Sequence, residues 1–409
     1  MDRDAHKPVR VVFLTSSYPR TRDDTASVFL RYLAEHLHKL NVNIHVLAPA
    51  DIQNIETDDD EICIHRFRYF PRRWQTLAYG SGILSNLKRN PLLYFQVPFF
   101  VIAMTYALIR HIRKYQPQII HAHWVIPQGI IAILAKYLYG VPVIITAHGA
   151  DVFALRQHLF QRIKRFCLRR CDAWTSNTYI TANSVSLDSL PPPQVIPMGV
   201  DVEHFASGKR EALRHDVADN EKIILFVGRL VEKKGVDDLL KAFALLRHDM
   251  RNTASLWIVG DGERDQQLRK SAADLRISDK IKFWGTIPNN NLPDYYAAAD
   301  IFVGPSVEAS SGDTEGQGVV FLEAFAARLS VIATSVGGIP NVIKHGRTGI
   351  LVEPRNPEKL ALAIEHLLQN DNLRHEIAEN AHQEAKKSYD WEKIAQDFVK
   401  LYRRVSLKQ

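Results

Sequence analysis

Short runs of β-branched and aliphatic residues recur along this chain, each separated from the next by room for a helix, and the series occurs twice. Before the stretch Pro191-Pro192-Pro193 through Pro197 the runs are 9–14, 44–47, 119–122, 143–146 and 173–176. After it they are 223–227, 256–259, 282–284, 301–303, 331–334 and 350–352. Strands alternating with helices build parallel sheets, because a parallel neighbour is reached only through a crossover. The chain is therefore expected to be α/β, with two facing Rossmann-like domains and an interdomain cleft. Its 409 residues also exceed what a single core usually serves. The expected domains are 1–197 and 198–389, with a last helix within 390–409, after the N-cap candidate Asp390, packing back on the first. Ligands of such sheets gather at the carboxyl ends of the strands, so the polar residues that follow each strand are the ones to read.

Composition narrows the partners. With 46% hydrophobic and 24% charged residues the chain is globular and not disordered. Its net charge of +7 is uneven: residues up to Pro197 carry 23 basic and 14 acidic side chains, the rest 29 and 31. Nucleic acid is excluded as a partner because the motifs and aromatic patterns of nucleic-acid modules are absent. A membrane surface or an anionic small substrate fits better. Three cysteines, Cys63, Cys167 and Cys171, are too few and odd in number for a disulfide framework. Cys167 and Cys171 lie four apart in a helical stretch without partner ligands and read as buried thiols. The N-terminus lacks the form of a signal peptide. The uncharged segment 91–109 approaches the length of a membrane span, and is expected to be a buried or interfacial helix rather than a true span.

Four stretches carry chemistry. Gly228-Arg229-Leu230-Val231-Glu232-Lys233-Lys234-Gly235 follows strand 223–227 without the Walker spacing. It is either a solvated basic turn or a loop whose Arg229 and Lys234 bracket a diphosphate. Glu315-Gly316-Gln317-Gly318-Val319 follows strand 301–303 and opens a helix that contains Glu323. Gly316 and Gly318 allow close backbone approach, and the free N–H groups at Val319 suit hydroxyl or phosphate oxygens. Glu315 and Glu323, eight positions apart, can hold separate parts of one ligand; otherwise they are a helix-start acid and a solvated helix acid. Thr146-Ala147-His148-Gly149-Ala150-Asp151 ends strand 143–146; Asp151 would fix the tautomer of His148 or face a ligand itself. His121-Ala122-His123-Trp124-Val125-Ile126-Pro127-Gln128-Gly129 stands at the end of strand 119–122. His-x-His invites a metal reading, but a third ligand is not evident, and a histidine–aromatic wall against a sugar is preferred.

In this order the four stretches resemble glycosyltransferase family 4, the retaining GT-B enzymes, over nearly the whole chain. The resemblance continues through Val195-Ile196-Pro197-Met198-Gly199-Val200-Asp201, Ile258-Val259-Gly260-Asp261-Gly262 and Phe283-Trp284-Gly285. It implies a GT-B fold, a nucleotide-sugar donor in the C-terminal domain and a saccharide or lipid-linked acceptor in the N-terminal one, in bacterial surface-polysaccharide or glycolipid synthesis. It implies that Arg229 and Lys234 hold the diphosphate, Glu323 the ribose, and Glu315 the transferred sugar. His148 would contact the sugar's outer hydroxyls, and Asp151, Gly285, Gly316, Gln317, Gly318 and Val319 would line the donor. His123 and Trp124 stand on the acceptor side. No cofactor and no divalent metal are expected, because the cations already oppose the charge that develops on the leaving group.

Two departures stand out. The family's first loop usually carries glycine near the phosphates, where this chain has Asp24-Thr25-Ala26-Ser27; the resemblance implies donor contact at Thr25 and Ala26, with a phosphate approach expected to be narrower. Gln317 replaces a common phenylalanine and is expected to add a donor and an acceptor near the sugar. The acidic run Asp58-Asp59-Asp60 reads as solvated surface. Arg162, Lys164, Arg165, Arg169 and Arg170, and Arg66, Arg68, Arg72 and Arg73 interleaved with aromatics, suit either an anionic membrane surface or plain solvation. The expected location is cytoplasmic, peripheral at the inner face of the plasma membrane. Competing readings are a sugar-nucleotide sensor without turnover and an NAD-dependent dehydrogenase; the latter is disfavoured because Gly260-x-Gly262 lacks the third glycine.

Overall fold

The structure is a computed structural model describing residues 8–21, 24, 27–51, 62–80, 82–153, 155, 157–185, 190–215, 217–218 and 220–407, with Ala150 as backbone only. It divides into two compact units, Met1–Pro197 with Trp391–Gln409, and Met198–Asp390.

The first unit holds a seven-stranded parallel sheet of β1 (Val9–Leu14), β2 (Val42–Pro49), β3 (Cys63–Phe67), β4 (Ile119–His123), β5 (Val143–Ala147), β6 (Ala173–Ser176) and β7 (Gln194–Val195). The spatial order is β3-β2-β1-β4-β5-β6-β7. The second unit has β8 (Lys222–Val227), β9 (Ala254–Val259), β10 (Ile281–Gly285), β11 (Ile301–Gly304), β12 (Ser330–Thr334) and β13 (Ile350–Val352), ordered β10-β9-β8-β11-β12-β13. In each sheet the chain runs outward one way and then resumes on the far side of its first strand. The order therefore reverses between β1 and β4 and between β8 and β11, the positions where open α/β sheets leave a crevice at the carboxyl ends.

Every expected run is a strand, because central parallel strands are buried on both faces and so read as unbroken apolar runs. In β8, Ile223, Leu225 and Val227 enter one core cluster while Ile224 and Phe226 enter the other. Two strands carry no such signal: β3, an edge strand with His65 and Arg66 in it, and β7, two residues within the proline stretch.

The apolar segment forms a turn, Pro91–Phe95, and the helix Gln96–Tyr115. Phe100, Met104, Leu108 and Ile112, each one turn on from the last, are buried in the first unit's core. The opposite face is not covered: Leu92, Phe95, Ile102 and Tyr106 are 65–81% exposed. The terminal helix Trp391–Ser406 belongs to the first unit, with its Trp391 ring 6.2 Å from Tyr32 on the helix Val28–Lys39.

Candidate functional site

In the second unit the loops after β8, β9 and β10 are laced together by backbone. The N–H of Gly260 donates to Gly285 and that of Leu230 to Asp261. A Cβ on Gly260 would lie 2.0 Å from the Gly228 carbonyl oxygen, so the close packing of these loops requires glycine there. The short turn Glu232–Lys234 ends at Gly235, whose φ of +64° and 1.9 Å gap from a Cβ to the Pro305 oxygen admit no side chain. This contact seats the β8 loop against the loop after β11. The Glu232 carboxylate strengthens it by accepting from the Ser310 N–H and hydroxyl, both at 2.8 Å.

The consequence is a convergence of charge. Lys234 Nζ lies 2.5 Å from Glu315 Oε2, with both side chains only 12–13% exposed. Lys233 pairs with Asp313 at 3.1 Å. Burial opposes ionisation of Glu315, but the fields of Lys234, Lys233 and Arg229 prevail and hold its carboxyl at about 2. Glu323 goes the other way. Desolvation pushes it up to about 7, against a 2.7 Å hydrogen bond from the buried Tyr296 hydroxyl and the field of Lys234. Two carboxylates around one ammonium are thus tuned apart, a pattern of functional sites. Gly318, at φ +76°, starts the helix Val319–Ala326, and a Cβ there would strike the Phe321 ring at 2.6 Å.

Gln317 departs from expectation. Its amide is buried, accepting from the Met198 N–H at 2.8 Å and donating to the Met198 carbonyl at 2.9 Å. Both ends are committed to backbone, so it anchors the glycine loop instead of presenting a free donor and acceptor to a sugar.

In the first unit, β4 and β5 end side by side and bring the histidines together. His123 Nδ1 is 3.1 Å from His148 Nε2. His121 bonds the Tyr402 hydroxyl at 2.7 Å and the Thr146 hydroxyl at 2.6 Å. Burial pushes His121 and His148 down to about 3 and His123 well below its ordinary range, so all three are neutral imidazoles at pH 7. His123 is fully buried, edge-on to Phe13 at 4.5 Å, and so supports His148 from beneath instead of forming a wall. Trp124, at φ +76°, and Phe29 put their rings 5.0 and 5.2 Å from His148.

Asp151 also differs from expectation. Its carboxylate accepts from the backbone N–H groups of Val125 (2.7 Å) and His148 (3.2 Å), which places the two loops but leaves the imidazole tautomer to His123. Thr25, Ala26 and the run Asp58–Asp60 lie outside the described residues. Ser27 has φ +56°, a glycine-like backbone carried by a side chain. Gln128, within the stretch after β4, is buried with neither amide atom partnered among the described residues. Sequence reading missed Tyr402 and Tyr296, which arrive from remote helices and gave no local signal.

Residues 26–204 match the model of Glycosyltransferase Family 4, and 209–384 that of Glycosyl transferases group 1. The chain is 30% identical to the D-inositol 3-phosphate glycosyltransferase of Geodermatophilus obscurus over 75% of its own length and 71% of the relative's. An uncharacterized glycosyltransferase of Methanocaldococcus jannaschii, MJ1607, is 36% identical over 46% of each chain, so the match spans about half of that relative. In fold the chain is similar to sucrose-phosphate synthase of Thermosynechococcus elongatus, with TM-score 0.80 and 20% identity over 99% of this chain and all of the other.

Proposed function

The chain belongs to the glycosyltransferases described as family 4 and group 1, with the GT-B fold, and on that premise we propose that it is a retaining, metal-independent hexosyltransferase. Its donor is a nucleotide-diphosphate sugar, held by the second unit. Its acceptor is a saccharide or lipid-linked saccharide, bound by the first unit, in bacterial glycolipid or surface-polysaccharide synthesis.

One observation carries this reading: Arg229, Lys234 and an ionised Glu315 converge where β8 and β11 end, beside the glycine-started helix Val319–Ala326. Breaking the bond from an anomeric carbon to a diphosphate makes the sugar oxocarbenium-like and the leaving group more anionic. Arg229 and Lys234 oppose that anionic charge, which is catalysis aimed at where charge develops. Glu315, ionised across the working pH range, accepts from the sugar hydroxyls, and Glu323 accepts from the ribose. His148, neutral, donates to an outer hydroxyl of the sugar. With no carboxylate assigned as nucleophile, retention follows from attack on the face the diphosphate leaves, the departing phosphate taking the acceptor's proton.

The test is incubation with a panel of UDP- and GDP-sugars, with and without candidate acceptors, following nucleoside diphosphate release and the anomeric configuration of the product. Turnover with retained configuration and no loss in EDTA is expected. Inversion refutes the mechanism; binding without release under every condition makes the protein a sensor.

Membrane contact belongs to the same proposal. Only 28% of the most apolar window in the segment Pro91–Tyr115 is buried, although it is long and apolar enough to cross a membrane. Its inner face is in the core, so the outer face suits lying in a lipid interface. Trp74, Tyr94 and Tyr106 are 58–67% exposed on or beside it, aromatics of the kind that settle at headgroup level. Exposed Arg72, Arg73, Lys88 and Arg89 flank them. Two expected contributors drop out: Lys164 is buried on the carbonyls of Val152 and Leu155, and Arg66 bonds Tyr79 and Pro19. These features support our reading that the protein is peripheral at the cytoplasmic face of the plasma membrane. Flotation with anionic vesicles should be lost on Phe95→Glu/Ile102→Glu and weakened by salt; equal flotation of that variant refutes this contact.

A further inference from the structure

We propose that His45, Cys63 and His65 form a binding site for a thiophilic divalent cation, zinc foremost, at the outer edge of the seven-stranded sheet.

Strand pairing puts the three together. In the parallel β2–β3 pair His45 is the partner of Cys63 and Leu47 that of His65. Paired residues share a face and side chains alternate along a strand, so His45, Cys63 and His65 all leave the same face. The helix Gln96–Tyr115 covers that face and closes the back of the cluster. The His111 ring lies 4.9 Å from His45 and 5.0 Å from His65, and the Tyr115 ring 4.8 Å from His45.

Distances favour a metal over a hydrogen-bonded cluster. The three ligand atoms all lie within 4.8 Å of one another. His65 Nε2 is 3.2 Å from Cys63 Sγ and 3.4 Å from His45 Nδ1. A tetrahedral ion about 2.0–2.1 Å from nitrogen and about 2.3 Å from sulfur sets its ligand atoms roughly 3.3–3.6 Å apart. Small side-chain adjustments would seat it. As hydrogen bonds the same contacts are frustrated, because one imidazole nitrogen is either a donor or an acceptor and here faces two partners. Two imidazoles and a thiolate, without a carboxylate, select zinc-like ions over magnesium or calcium. Cys63 is exposed, which gives the ion an entry path and leaves the fourth position to solvent.

These residues take no part in the proposed transfer. The ion would clip β3, which among the described residues pairs only with β2, to the rest of the sheet, and so stabilise the fold by mass action.

The experiment titrates cobalt(II) into the full-length, reduced, metal-stripped protein and then displaces it with zinc. One equivalent should bind with a thiolate-to-cobalt band in the near ultraviolet, and zinc should raise the Tm without changing turnover at 25 °C. Cys63→Ser should abolish the band, His45→Ala and His65→Ala should each weaken binding at least tenfold, and the exposed His375→Ala should change nothing. Should Cys63→Ser misfold, the wild-type protein still decides: zinc should slow alkylation of Cys63 at least tenfold. No saturable binding, a band that survives Cys63→Ser in the folded variant, or alkylation indifferent to zinc overturns the proposal.

Discussion

Lys234→Ala separates what the ammonium does for the fold from what it does for the reaction. Lys234 faces Glu315 at 2.5 Å in a largely buried pair, and Glu315 is held at about 2 instead of 4.5. That displacement corresponds to about 3 kcal/mol favouring the ionised carboxylate, to which Lys233 and Arg229 also contribute. Removing Lys234 should therefore cost roughly 2–3 kcal/mol of stability at neutral pH. The sign follows from a depressed acid pKa: the contribution is complete above the unfolded value near 4.5 and fades as pH falls towards 2. Wild type and variant should thus differ in urea stability at pH 7 and converge in acid. Catalysis behaves differently. Losing one positive charge aimed at the leaving diphosphate should lower kcat about 10²–10³-fold. Adding Glu315→Gln to Lys234→Ala removes the stranded carboxylate, so it should recover much of the stability and none of the turnover. Nucleoside diphosphate release at saturating donor and urea titrations at pH 2 and pH 7 measure both. Wild-type kcat in Lys234→Ala refutes the diphosphate assignment, and turnover restored by the double variant would make the lysine merely structural.

Three further outcomes follow from the same geometry. Glu323 should gain its full acceptor capacity as pH rises through about 7, so donor KM should fall between pH 6 and 8 in the wild type and stay flat in Glu323→Gln. Gly235→Ala should destabilise the second unit by more than the roughly 1–2 kcal/mol of a left-handed backbone, since its Cβ would also meet the Pro305 oxygen; urea denaturation reads this out. Tyr402→Phe leaves His121 Nδ1 without its hydroxyl partner in a buried place and should cost about 1–3 kcal/mol by the same method.

What the sequence made legible was whatever a local pattern encodes. Central strands such as β8 announce themselves because burial on both faces leaves no polar residue to break the run, whereas β3 sits at the edge and carries His65 and Arg66. The positions of Arg229, Lys234, Glu315 and Glu323 after their strands were readable for the same reason, being polar and glycine-rich interruptions of apolar runs. Their partners were not. Gln317 points to Met198, 119 positions away, and Asp151 points to two backbone N–H groups instead of a ring. A side chain's residue type states which bonds it can make, but its rotamer and its neighbours decide which it does make. That is why the place of a functional residue was easier to read than its role.

Charge distribution shows how the fold rewrites a linear count. Splitting the sequence at Pro197 gives +9 and −2, but the terminal helix, with Lys393, Lys400, Arg403 and Arg404, belongs to the first unit. Counted by unit, the first has 28 basic and 16 acidic residues and the second 24 and 29, or +12 against −5. The acidic surplus of the second unit is partly spent around its cations: Lys234 on Glu315, Lys233 on Asp313, Arg210 and Arg214 on Asp300, Arg264 on Asp237. An anionic donor entering there must therefore compete with carboxylates for short-range contacts, and its binding should depend only weakly on salt. The first unit has a net surplus of cations, with Arg72, Arg73, Lys88 and Arg89 exposed beside its apolar face. The proposed attraction of that unit to an anionic surface would be long-ranged and screened over about 8 Å at physiological ionic strength. Raising salt from 50 to 500 mM should thus release the protein from anionic vesicles while changing donor KM little; a parallel loss of both would place the diphosphate and the lipid on one shared field.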